Sequence, residues 1–132
     1  MTKTKQAIVE ITGQLIIDRV HIIRGMKVML DRDLAEMYSV PTSALNQAVK
    51  RNNKRFPSDF MFQLTIVEFK SLISQNVISS WGGTRKLPYA FTEHGVTMLA
   101  SVLRSEIAID INIQIVRAFI ALRQYALGYA EL

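Results

Sequence analysis

The sequence predicts an α+β chain, a helix-turn-helix with small β-hairpins and C-terminal helices. Three observations predict it. β-Branched residues flank Arg24-Gly25 in VHIIRGMKVML, which reads as two short strands around a glycine turn. The stretch DRDLAEMYSVPTSALNQAVKRNNKR, Asp31 to Arg55, reads as two short helices with a tight turn between them. Beyond Thr92, apolar residues recur at helical spacing.

The first eighteen residues are weakly patterned. After the strand pair, Asp31 is expected to cap a helix, with Asp33 in its first turn near the positive dipole end. Leu34, Ala35 and Tyr38 give that helix an apolar face. Ser39-Val40-Pro41 breaks it, because proline disfavours helix at the residue before it and suits the start of the next one. The second helix is expected from Thr42 to Asn53, burying Ala44, Leu45, Ala48 and Val49. Phe60, Phe62 and Leu64 alternate with Met61 and Gln63, as in a half-buried strand. Thr65 to Gln75 returns to helical spacing through Phe69, Leu72 and Ile73. Asn76 to Ala90 is expected to be a hairpin with a basic tip, holding Trp81-Gly82-Gly83 and Arg85-Lys86. Thr92 is placed to cap a further helix with Val96, Leu99, Val102 and Leu103 inward. Isoleucines at 107, 109, 111, 113 and 115 keep a period of two, a strand signal, whereas Val116, Phe119 and Leu122 are helical. Strand and helix fit the first half of this segment equally.

Length fits one domain of 132 residues, with a helical appendage. We divide the chain into a segment 1–18, a helix-turn-helix-containing domain 19–105, and a C-terminal helix 106–132 as a candidate dimerisation element. There is no cysteine, which removes disulfides and thiolate chemistry and suits a reducing cytoplasm. MTKTKQAIVEITGQ lacks the unbroken apolar stretch of a signal peptide. The longest apolar run, Ala118 to Leu122, is far short of the ~20 residues that span a bilayer, so no membrane partner is expected.

Charge is informative by its placement. Net charge is +5; Lys50, Arg51, Lys54 and Arg55 contribute +4, Arg85 and Lys86 contribute +2, and the remainder sums to −1. Such local positive charge points to an anionic polymer. In a helix-turn-helix the second helix lies in the major groove with its N-terminal residues toward the bases. Thr42, Ser43, Asn46 and Gln47 are therefore the candidate base readers, since amides pair with adenine. Lys50 is intermediate, and Arg51, Asn53, Lys54 and Arg55 lie toward the phosphates. Arg85 and Lys86 are candidates for a wing touching the backbone. The competing reading is a structural helical hairpin with a solvated polar face.

Two blocks, DRDLAEMYSVPTSALNQAVKRNNKRFPSDFMFQLT and KLPYAFTEHGVTMLASVLRS, in this order resemble the ORF-six N-terminal (ORF6N) domain, related to the KilA-N and Bro-N domains of phage and bacterial proteins. The resemblance covers Val20 to Arg104 and continues more weakly to Tyr125. It implies a compact α+β domain, favours helix at Ile107, and implies DNA binding in phage regulatory or antirepressor-type proteins. The expected partners are double-stranded DNA, a second copy of the chain, or a repressor protein bound through the apolar face of Ile111, Ile115, Phe119 and Leu122.

No enzyme and no cofactor are expected. His21 and His94 are not spaced as paired metal ligands. Asp31 and Asp33, two apart on a helix, point to different faces. No serine sits in a nucleophile elbow, and the glycines at 82–83 are not followed by the Lys-Ser or Lys-Thr of a phosphate loop. Trp81 and Tyr89 fit burial under the hairpin better than stacking on bases.

Overall fold

The structure, a computed structural model, describes residues 13–75 and 86–131, with only the backbone for 125–131. It is a mixed α+β fold. Helix α1 covers residues 13–18, a stretch whose pattern in the sequence is weak. Strands β1 (His21–Ile23) and β2 (Met26–Leu30) lead into helices α2 (Asp31–Tyr38) and α3 (Thr42–Arg51). A short 3-10 turn, Asn53–Arg55, follows, then β3 (Met61–Gln63), α4 (Ile66–Ser74), β4 (Tyr89–Thr92), α5 (Glu93–Leu103) and α6 (Glu106–Glu131).

The strands form one antiparallel sheet in the order β1-β2-β4-β3. Arg24 and Gly25 both have positive φ, 55° and 75°, which is the two-residue turn that matches strand twist. The hairpin expected across 76–90 falls mostly outside the described residues. Its last two, Tyr89 and Ala90, begin β4, which pairs with β2 and β3 in the middle of the sheet.

Both faces of the sheet are covered. Met29 and Phe91 face a cluster containing Leu34, Tyr38, Leu45, Val49, Val96, Leu99, Ile115 and Phe119. Val28, Leu30, Ala90 and Phe62 face the other way, onto Ile23, Leu64 and Leu72. Burying a side chain such as Ile115 or Phe119 contributes roughly 1.5–3 kcal/mol. Arg24 closes one corner from outside: its guanidinium lies 4.0 Å over the Phe62 ring and pairs with Glu68 at 2.8 Å. The hydrogen bond from Arg24 holds the Glu68 carboxyl down at about 2.

Caps decide several element starts. Thr65 and Glu68 form a reciprocal capping box at α4. Thr92 caps α5, as its position suggests, accepting from the Gly95 N–H and donating to the Asp59 carbonyl at 2.9 Å. Asp31 is a correction: it is the first residue of α2, not its cap, and Leu30 holds the cap position without a side-chain bond. Ser39 ends α2 in the left-handed conformation, φ 58°, where glycine is commonest, with its N–H bonded to the carbonyls of Ala35 and Glu36.

The Ile107 segment is helical. Within α6, Ala108, Asn112, Ile115 and Phe119 face the core, spaced i, i+4, i+7, i+11. Asn112 is buried and donates to the Val96 carbonyl at 2.6 Å and the Tyr38 hydroxyl at 3.4 Å, so one amide ties α6 to α5 and α2. Burial pushes the Tyr38 phenol above its usual range, so it stays protonated. Glu93 at the start of α5 also pairs with Arg123 of α6. The apolar face expected to dock a partner is therefore engaged internally: Ile115 and Phe119 are fully buried, and Ile111 and Leu122 half-buried. Ile109, Ile113 and Ile120 form a separate exposed row.

Gly95 sits where α5 meets the Phe60 backbone, and a Cβ there would collide with the Phe60 carbonyl oxygen. Gly95→Ala is expected to lower stability by about 1–3 kcal/mol, read from urea melts. His21 is buried on β1, and its Nε2 has no hydrogen-bond partner among the described residues. Burial pushes its pKa below the ordinary 6.5, against the opposing pull of the Asp33 carboxylate. Because the folded state disfavours the proton, stability is intact above pH ~6.5 and is lost as pH falls through the depressed folded pKa. Urea melts are expected to show wild type losing stability relative to His21→Leu as pH drops from about 7 to about 5.

Candidate nucleic-acid interface

Helices α2 and α3 make the predicted hairpin, with Pro41 just before α3 and Leu45 and Val49 turned into the core. Ala48 is half-buried, but Ala44 is exposed, so the buried stripe is narrower than its four apolar residues suggest. Helix α3 ends at Arg51 instead of Asn53, because Asn52 caps it: the Asn52 N–H reaches the Val49 carbonyl, and its side chain reaches the Ala48 carbonyl at 2.8 Å. Asn53, Lys54 and Arg55 then form the 3-10 turn.

Ser43, Gln47, Lys50, Arg51, Asn53, Lys54 and Arg55 are exposed, and Thr42 is half-buried at the helix start. Ser43, Gln47 and Lys50 follow one another at i, i+4, i+7, a single ridge along α3. Among the described residues, Lys50, Arg51, Lys54 and Lys86 are in no ion pair. Arg55 leans back, donating to the Ser101 hydroxyl of α5 at 3.3 Å. Arg85 lies outside the described residues.

Asn46 differs from its neighbours. It is half-buried, and its Nδ2 donates to Asp31 Oδ2 at 3.0 Å. Asp31 is 3% exposed; it also accepts from the Arg32 N–H at 2.7 Å, and the Tyr89 N–H faces it closely enough to favour its charged form. Burial raises the Asp31 pKa; the Asn46 bond, the Tyr89 and Arg32 N–H groups and the Lys86 charge oppose that shift. The carboxylate thus joins the start of α2, the middle of α3 and the start of β4. Asp33 faces elsewhere and binds Arg19 at 2.6 Å; burial raises its pKa, with Arg19 opposing.

Beside Asn46 the surface is concave. A pocket of about 260 Å³ is lined by Asn46, Val49, Lys50, Asn53, Met61, Lys86 and Tyr89. It brings together four of the predicted site residues, Asn46 and Lys50 from α3, Asn53 from the following turn, and Lys86 from the residues before β4. Lys86 Nζ lies 5.8 Å from the Tyr89 ring centroid. Met61 and Tyr89 were not among the residues the helix-turn-helix pattern points to. Their contribution comes from strand pairing far along the chain, which no local spacing reveals.

A family model described as the ORF6N domain matches residues 18–102, well over half of the chain. The chain belongs to the ORF6N domain family. The ORF6N match includes the whole sheet, α2, α3, and α5 almost to its end. Comparisons with curated proteins and with solved structures returned no match. Among the described residues of this ORF6N chain, no helix is long and apolar enough to cross a membrane.

The Asn46–Asp31 bond makes a prediction that needs no ligand. Asn46→Ala leaves a buried carboxylate short of a donor and is expected to cost about 1–3 kcal/mol of stability. Urea melts without DNA, compared with those of Gln47→Ala, read this directly; Gln47→Ala is expected to be near neutral.

Proposed function

We propose that this ORF6N chain is a double-stranded DNA-binding module of a phage-derived transcriptional regulator, acting by binding and not by catalysis, in the cytoplasm. The observation that carries the reading is the exposed ridge of α3. Its amides, hydroxyls and cations stand outward, free of ion pairs among the described residues, with no acid between Thr42 and Arg55. Helix α3 enters the major groove N-terminus first, so Ser43 and Gln47, with Thr42 at the helix start, meet base edges. Asn46 keeps its side-chain carbonyl for a base while its amine is held by Asp31. Arg51, Lys54 and Arg55, at the far end, hold phosphates.

Selection of bound duplexes from a random library is the test. If ~5 phosphates are engaged, log affinity against log salt has a slope of about −4.5. Gln47→Ala is expected to cost ~1–3 kcal/mol on the best selected site and little elsewhere. Arg51→Ala is expected to weaken all sequences alike. Equal binding of Gln47→Ala and wild type on the selected site removes Gln47 from the reading set.

The exposed row Ile109, Ile113, Ile120 on α6, 48%, 45% and 38% exposed, favours a second reading. Here the chain is an antirepressor-type interaction module whose α6 row pairs with a second copy or with a repressor. Absence of retention on random duplex at low salt, together with co-purification of a repressor, would decide for it. Palindromic selected sites would join both readings, a dimer reading two half-sites.

A further inference from the structure

The pocket between α3 and the sheet has a definite chemistry. Its floor is apolar, made by Val49, Met61 and the Tyr89 ring, and its rim carries the cations Lys50 and Lys86 and the amides of Asn46 and Asn53. No acid is among the described lining residues. Asp31, behind Asn46, accepts from the Asn46 side chain and the Arg32 N–H and is 3% exposed; its charge acts on Lys86 through space, but among the described residues it forms no ion pair with either lysine. A space of about 260 Å³ is roughly 8 Å across if round, so both lysines reach into a volume the size of one sugar–phosphate unit. That unit is amphipathic in the same sense as the pocket. Its phosphate is anionic and its deoxyribose offers C–H groups to an aromatic and aliphatic floor.

Resting on the DNA-binding reading, we propose that this pocket seats one sugar–phosphate unit of the strand bordering the groove that α3 reads. Lys50 and Lys86 clamp the same phosphate from opposite elements, one from α3 and one from the residues just before β4. Lys50 is then a positioning residue and not a base reader. The Asp31 carboxylate enters indirectly: by fixing α3 against β4 through Asn46 and the Tyr89 N–H, it sets the gap between the two lysines.

Sharing one phosphate has a thermodynamic signature. Two lysines on separate phosphates act independently; two on one phosphate do not. Both are exposed, so their removal leaves the packing intact. Binding of the chain to its best selected duplex is measured across salt concentrations for wild type, Lys50→Ala, Lys86→Ala and the double variant. Each single variant is expected to weaken binding about five- to tenfold, and the double variant by much less than the product of the two. The salt slope of the double variant is expected to fall by about one, against about two for independent contacts. Lys50→Ala weakens selected and random duplexes by the same factor. A methylphosphonate scan, which neutralises one phosphate at a time, finds a position that weakens wild type and leaves the double variant unaffected.

Multiplicative losses with a slope drop of about two would overturn the clamp while leaving DNA binding in place. So would a Lys50→Ala loss confined to the selected sequence, which would make Lys50 a base reader. Failure of wild type to retain any duplex at low salt would overturn the DNA-binding reading itself, and the clamp with it.

Discussion

One buried carboxylate holds the candidate interface together. Asp31 is almost entirely out of water and accepts from the Asn46 side chain and the Arg32 N–H, with the Tyr89 N–H facing it. A carboxylate taken out of water without partners is costly, so these polar neighbours are close to obligatory. Those neighbours come from α2, α3 and β4. The angle between the outward-facing helix and the sheet is consequently fixed by electrostatics as well as by the packing of Leu45 and Val49. A helix-turn-helix held only by apolar contacts would have more freedom to rock.

A second buried polar group acts at the other end of α2. Asn112 joins Tyr38 to the Val96 carbonyl, at the centre of the larger core. Apolar packing alone would let α6 slide by a turn along its isoleucine-rich surface. A single amide with two required partners specifies one register. The same helix carries two apolar stripes with different fates, one covered by the domain and one facing outward. The two stripes explain why the face that looks free in the sequence is in fact occupied.

Local signals in the sequence carried far. The strand pair at Arg24-Gly25, the break at Pro41, the alternation around Phe62, and the cap at Thr92 all depend on a few neighbouring residues, and all appear in the structure. What was not legible depends on distant pairing. Asp31 looks like a helix cap because acids before helices usually are, and only the approach of Asn46 and Tyr89 reveals it as a junction. Ile107 to Ile115 fits both periods because isoleucine fills every other place; Ala108 and Asn112, which face inward together with Ile115, carry no apolar bulk to betray the helix. Ala44 is too small to commit to either side, and it ended in solvent. Of the candidate interface, the exposed ridge was readable from amide and lysine spacing. The pocket was not, since Met61, Lys86 and Tyr89 reach it only through the order of strands in the sheet.

Ser39 sets the elbow between α2 and α3 with a residue that dislikes its own backbone. Its left-handed geometry costs a β-carbon-bearing residue roughly 1–2 kcal/mol, and its hydroxyl makes no hydrogen bond among the described residues to offset that. Glycine would sit there without penalty. The elbow therefore holds unused thermodynamic headroom, next to the surface where mutations that alter recognition would accumulate, and a lineage exploring new targets could draw on it without touching the core.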